Sequence, residues 1–159
     1  MLELKLLLLI GIANGAPIVA RKLLGKRFSL PLDGDLRFID GRPLLGSSKT
    51  VLGLLSALLV TPVVATVIGI GFVAGIGIAA WSMVGDLLSS FIKRRARMPV
   101  HARATGLDQI PESLLPALFY KLQYGLPSSA VILVVIAFVV IEILLSRWLY
   151  VLRIRGRPY

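Results

Sequence analysis

Val51–Ile92 reads VLGLLSALLVTPVVATVIGIGFVAGIGIAAWSMVGDLLSSFI, and its 42 residues carry one charge, Asp86. A transmembrane helix needs about 20 apolar residues, so the stretch is long enough for two, joined by a turn near Thr66–Gly71. This is a helical hairpin. The glycines Gly69, Gly71, Gly75 and Gly77 fit no Gly-x-Gly-x-x-Gly frame, and no strand precedes them. Gly71 and Gly75 form a Gly-x-x-x-Gly pair instead, which lets helices approach closely.

Three further apolar runs flank the hairpin. Leu2–Ala20 is interrupted only by Glu3, Lys5 and Asn14. Its small residues at Ala13–Ala16 resemble a signal-peptide cleavage site, but it lacks a basic leading region, which favours a retained first span. Leu114–Leu126 is weaker, holds Lys121 and Gln123, and crosses only if extended back to Pro111. Ser129–Leu152 is a long last span with Glu142 and Arg147 toward its end.

Composition agrees. Of 159 residues, 57% are hydrophobic and 16% charged, against ~45–50% and ~25% in soluble domains. Mean hydropathy is +0.87. The expected fold is an all-α integral membrane protein of about five transmembrane helices, a single domain over residues 1–159. A disordered chain, an ordinary soluble enzyme and a nucleic-acid module are disfavoured. The chain has no Cys, so disulfides, thiolate nucleophiles and Cys-based metal sites are excluded, and the one His, His101, builds no zinc site alone.

Eighteen Lys and Arg against eight Asp and Glu give a net charge of +10. The basic residues cluster between the apolar runs: seven in Ala20–Thr50, five in Lys93–Glu112 and four from Arg147 onward. By the positive-inside rule these segments are cytoplasmic, which gives five crossings, two cytoplasmic polar loops and an outside N-terminus.

Six of the eight acids lie in or beside those two loops. Asp86 is the most informative, because an ionised group inside a span costs at least ~2.5–3.5 kcal/mol. Asp86, Ser90 and Lys93 share one helix face. The plainer reading is a stabilising pair of Asp86 with Lys93 or Arg94. Asp33, Asp35 and Asp40 suit turns, notably Asp33-Gly34 and Asp40-Gly41. Together with Asp86 they also make a carboxylate set suited to Mg²⁺, a hard ion with oxygen ligands.

Gly41-x-x-x-x-Gly46 matches the opening of a P-loop, but Ser47 stands where Lys is required and no βαβ context surrounds it. The glycines, Ser47, Ser48 and Lys49 are still able to wrap a phosphate, with Thr50 opening the next helix. The plainer alternative is a basic loop against lipid headgroups. Carboxylates beside Lys49, Lys93, Arg94 and Arg95 describe a metal–phosphate site rather than a hydrolytic triad.

At these residues the chain resembles the CDP-archaeol synthase family, integral membrane cytidylyltransferases distantly related to phosphatidate cytidylyltransferase. The resemblance runs through Ala13-Asn14-Gly15-Ala16-Pro17, Pro31-Leu32-Asp33-Gly34, Asp40-Gly41-Arg42-Pro43 to Gly46-Ser47-Ser48-Lys49-Thr50, Gly85-Asp86 with Ser89-Ser90-Phe91-Ile92-Lys93-Arg94-Arg95, and Leu107-Asp108-Gln109. After Asp108-Gln109 the family pattern has a further acid, where Ile110-Pro111-Glu112 stands here.

The resemblance implies transfer of CMP from CTP to an archaeol-type lipid phosphate, with Mg²⁺, giving a CDP-lipid and pyrophosphate. It implies Asp86, Lys93 and Lys49 as the catalytic set. Asp86 would hold the metal, with help from Asp33, Asp40 or Asp108. Asn14, Asp33, Gly34, Asp40, Gly41, Arg42, Gly46, Ser47, Ser48, Ser90, Arg94, Arg95 and Gln109 would bind substrate. The alternatives are the same reaction on phosphatidate, or a non-enzymatic transporter or scaffold. A transporter wants paired charges near the midplane, whereas these charges gather at one face.

Overall fold

The computed structural model describes residues 1–25, 30–102 and 104–151. Five helices follow one another: α1 (Leu2–Leu24), α2 (Val51–Val67), α3 (Phe72–Arg95), α4 (Gln109–Tyr124) and α5 (Ser128–Val151). The hairpin expected from Val51–Ile92 is present, and its turn at residues 68–71 relies on Gly69 and Gly71, both at positive φ. Thr50 caps α2 by accepting the Gly53 N–H on its hydroxyl at 3.1 Å. α1 belongs to the bundle, with Leu6, Leu9, Ile10 and Ala13 fully buried.

α1, α3 and the Ser128–Trp148 part of α5 are long and apolar enough to cross a membrane. α2 is apolar but has only 17 residues. α4 has 16, includes Glu112 and Lys121, and begins at Gln109 rather than Pro111. Among the described residues three helices are thus long and apolar enough to span fully, and the shorter α2 and α4 complete the expected bundle of five. Arg153, Arg155 and Arg157, on which the sidedness of the C-terminal end partly rests, lie outside the described residues, as do Lys26, Arg27 and Arg103.

α3 is the central helix and packs against α1, α2 and α4, while α5 lies against α4 and α1. Small residues set its spacing. A methyl group at Gly75 would stand 2.6 Å from both Ala65 Cβ and Pro62 Cα of α2, and one at Gly85 would overlap the Pro111 carbonyl of α4. Gly71, expected to pack beside Gly75, instead precedes α3 at φ 97° with open space around it. Its role is the turn.

The two polar loops meet at one end of the bundle. The first folds back on itself: Leu32 N–H donates to the Lys49 carbonyl and Phe38 N–H to the Arg42 carbonyl, each at 2.8 Å. It is fastened to the end of α3 by Arg42, which donates to the Arg95 carbonyl at 2.8 Å. Arg95 in turn reaches Asp40 and the Pro43 carbonyl and lies over the rings of Phe38 and Phe91.

Overpacking a close helix contact costs about 1–3 kcal/mol. Gly75→Val is therefore expected to lower the thermal unfolding midpoint in detergent by several degrees, whereas Gly15→Ala, with open space around it, is expected to leave it unchanged. Equal midpoints for the two variants would refute the close α2–α3 packing.

Candidate active site

A half-open cavity of about 320 Å³ sits where the first polar loop meets the helices. All five helices contribute to it. Asn14, Pro17, Ile18 and Arg21 come from α1, Ser48 and Lys49 from the loop, and Leu54 from α2. Asp86 and Leu87 come from α3, Glu112 from α4 and Glu142 from α5.

The centre of the site is an ion pair between Lys49 Nζ and Asp86 Oδ1, both largely buried. Asp86 does not pair with Lys93 or Arg94, contrary to the plainer sequence reading. The Glu112 carboxyl, 8% exposed, lies against that of Asp86 within hydrogen-bonding reach. Lys49 supplies a cation beside these two carboxyls. Asn14 donates to Ser82 Oγ at 3.0 Å, and Ser82 Oγ donates to the Glu112 carbonyl at 3.1 Å. That relay ties α1, α3 and α4 together beside the cavity.

Several expected site residues are engaged elsewhere. Asp33 accepts the N–H groups of Leu45 and Gly46 on Oδ2, at 2.8 and 3.1 Å, and that of Asp35 on Oδ1 at 3.2 Å. It clips the loop and is not placed as a metal ligand. Its carboxylate also takes the Gly46 N–H that a phosphate-wrapping loop would offer, so the loop holds an internal anion. Burial raises the Asp33 pKa, but the three N–H donors outweigh it and hold the group below the usual carboxylate value.

Asp40 accepts from Arg95 and from the Arg42 N–H, stabilising the turn at Gly41. Lys93 pairs with Asp108 at 2.6 Å and donates to the Ala102 carbonyl, while Asp108 also accepts the Ala104 N–H. These contacts lace the second loop, so Lys93 is not placed as a catalytic cation. Gln109 accepts the Gly106 N–H at 2.6 Å. Ser90 is buried but does not line the cavity, and Ser47, Arg94 and Arg95 do not line it either. Gly34, Gly41 and Gly46 are turn residues at positive φ.

The four-aspartate metal set of Asp86, Asp33, Asp40 and Asp108 is thus not assembled. Among the described residues no cluster of three or more acids or histidines is tight enough to hold a metal by itself. What the cavity offers is Asp86 with Glu112, near Glu142 and the Ser48 hydroxyl. One or two carboxylates completed by phosphate and water oxygens is the usual manner of binding Mg²⁺, so the donor set fits that ion. Sequence reasoning assigned no role to Glu112, Glu142 or Arg21. An ionisable residue inside an apolar helix is a functional signal in its own right, and for Glu142 that signal was present.

The CarS-like CDP-archaeol synthase family model matches residues 4–159. This chain belongs to that family. CDP-archaeol synthase of Sulfurisphaera tokodaii is 35% identical over 161 residues, covering 93% of this chain and 89% of that relative. The one from Thermofilum pendens is 32% identical over 93% of this chain and 76% of its own. That of Hyperthermus butylicus is 38% identical over 104 residues, 62% of this chain and 59% of its own length.

A solved structure of an intramembrane enzyme for archaeal membrane lipid biosynthesis superposes with a TM-score of 0.76 at 28% identity. It covers 89% of this chain and 90% of that one. The chain is an integral membrane CTP-dependent nucleotidyltransferase, and the family's reaction passes CMP from CTP to a lipid phosphate to give a CDP-lipid.

The Asp33 clip carries a pH signature. A carboxylate with a depressed folded pKa contributes stability above its unfolded pKa, ~3.9, and that contribution is lost as pH falls through the lower folded value. Asp33→Asn keeps the size but points an amide at N–H donors. At pH 7 the first loop of the variant should be cleaved markedly faster in limited proteolysis, and the difference from wild type should vanish under strong acid. Equal cleavage rates at pH 7 would show that the clip does not hold the loop.

Proposed function

We propose that the Asp86 cavity is where CTP and a lipid phosphate meet, and that the whole chain, residues 1–159, acts as one membrane-embedded catalytic domain. The observation that carries this reading is the convergence of Asp86, Glu112, Glu142, Lys49 and Arg21 on one half-open cavity. Ile18, Leu54 and Leu87 supply its apolar wall. Acyl or isoprenoid chains suit that wall, and phosphates suit the charged end.

The chemistry asks little of a base. A phosphate monoester has a second pKa near ~6, so the lipid phosphate is already an anion at neutral pH. Its oxygen bonds to the α-phosphorus of CTP as the bond to the β-phosphate bridging oxygen breaks, and pyrophosphate leaves with that electron pair. The protein must neutralise and align two polyanions.

Lys49 and Arg21 supply cationic donors to phosphate oxygens. Asp86 and Glu112 would hold Mg²⁺, which when bound supplies charge neutralisation for the triphosphate. Lys49 pairs with Asp86 beside that position. The acceptor is the archaeol-type ether-lipid phosphate named by the family, with phosphatidate as the comparison substrate. The polar end faces the cytoplasm, in keeping with the basic loops.

Incubating purified protein with labelled CTP, Mg²⁺ and either lipid phosphate is expected to yield CDP-lipid and pyrophosphate, with the archaeol-type acceptor preferred. Asp86→Asn is expected to cut the rate at least a hundredfold while the protein still inserts and purifies. Lys49→Met should also be impaired. The double variant tests the alternative of a purely structural pair, because removing both charges would relieve an uncompensated buried ion. If Asp86→Asn/Lys49→Met regained wild-type turnover, the catalytic assignment would fail.

Sidedness has its own test. The chain has no native Cys and Ser47 is exposed, so Ser47→Cys gives a single reporter. An impermeant maleimide is expected to label it in inside-out vesicles and not in intact cells.

A further inference from the structure

A second hollow, of about 330 Å³, opens at the C-terminal end of α3. Its lining includes three arginines, Arg42, Arg94 and Arg97, with Pro99 and Val100 among its apolar walls, and no acid. Arg94 is only 5% exposed, and its Nε and Nη1 are buried without a hydrogen-bond partner among the described residues. Unsatisfied buried donors on a charged group are costly. The acid whose field reaches Arg94 is Asp108, but that carboxylate already accepts from Lys93 and the Ala104 N–H.

The surrounding backbone keeps the arginines together. Arg97 adopts φ 60°, a left-handed conformation unusual for a side-chain-bearing residue, with its N–H on the Arg94 carbonyl at 3.2 Å. Arg42 is anchored through the Arg95 carbonyl, and Asp40, outside the hollow's lining, lies 3.9 Å from its guanidinium. Behind them, Gly46 leaves room for the Arg94 stem and Val100, which a methyl group there would meet at 3.9 and 3.2 Å. A concave site whose lining holds three guanidinium groups and no carboxylate, one of them with unsatisfied buried donors, matches a phosphate group, whose oxygens accept the arginine fork.

We propose that this hollow is a second phosphate-binding site, separate from the Asp86 cavity, that takes a phosphate-bearing anion. The inference rests on the hollow alone and stands whether or not the catalytic reading does. Two sources offer that chemistry, a free phosphate such as pyrophosphate and the headgroup of an anionic lipid.

The test uses the full chain purified in detergent, titrated with sodium pyrophosphate by calorimetry without CTP or divalent metal. A parallel arm measures thermal unfolding in nanodiscs of phosphatidylcholine with and without phosphatidylglycerol. The variants are Arg94→Gln, Arg97→Gln, Val100→Trp and Lys49→Met. Should Arg94→Gln fail to fold, Arg97→Gln at an exposed position and Val100→Trp, which fills the hollow, still report on it.

Pyrophosphate binding weakened at least tenfold by Arg97→Gln and Val100→Trp, but kept by Lys49→Met, supports a site for free phosphate. No pyrophosphate binding, with stabilisation by phosphatidylglycerol that Arg97→Gln abolishes, supports a headgroup site. Binding that Lys49→Met removes and Arg97→Gln leaves intact belongs to the Asp86 cavity and overturns the proposal. Absence of any response to either probe overturns it as well.

Discussion

The pairing of Lys49 with Asp86 is the contact on which the polar end of this protein depends. Asp86 sits on the central helix of a largely apolar bundle, where an ionised group is expensive unless a partner meets it. The cation comes from a loop some forty residues earlier in the chain, so that loop must fold back over α3. Once there, it is held by backbone pairing of its two arms, by the Asp33 clip and by the contacts of Arg42 and Arg95 at the end of α3. Breaking a buried pair by removing one partner strands the other charge, so the pair fixes the loop as well as the site.

Close helix packing does the rest. Gly85 lets the Pro111–Glu112 backbone of α4 lie directly on α3, one residue before Asp86. That approach carries the Glu112 carboxyl to Asp86, and the Ser82 hydroxyl secures it by donating to the Glu112 carbonyl. A larger side chain at Gly85 would push α4 outward and take Glu112 with it. The electrostatics of the cavity are therefore a consequence of small-residue packing as much as of the acids themselves.

The arrangement is suited to joining two phosphates inside a membrane protein. The attacking lipid phosphate and the triphosphate are both anions, so their repulsion is the main obstacle, and fixed cations beside a carboxylate pair suited to a metal ion would counter it. Charges grouped at one end of the bundle, with an apolar wall beside them, would let a membrane-anchored substrate and a water-soluble one reach the same point, as the proposed function requires. Lys93 serves structure, since its pairing with Asp108 ties the second loop to the end of α3.

The helices and their order were legible from sequence because burial in hydrocarbon is a local, additive property. A run such as Val51–Ile92 must be helical to satisfy its own backbone, and Gly69 with Gly71 marks its turn. The importance of Asp86 and Lys49 was legible for the same reason, as a charge in an apolar run and a cation in a glycine-rich loop. Which acids meet was decided only in three dimensions. Asp33, Asp40 and Asp108 find nearby N–H groups and cations that use up their oxygens, whereas Glu112 and Glu142, far apart in the chain, converge because α4 and α5 turn them toward one cavity. Side-chain pairing depends on helix rotation and through-space distance, and neither is encoded in the local spacing of residues.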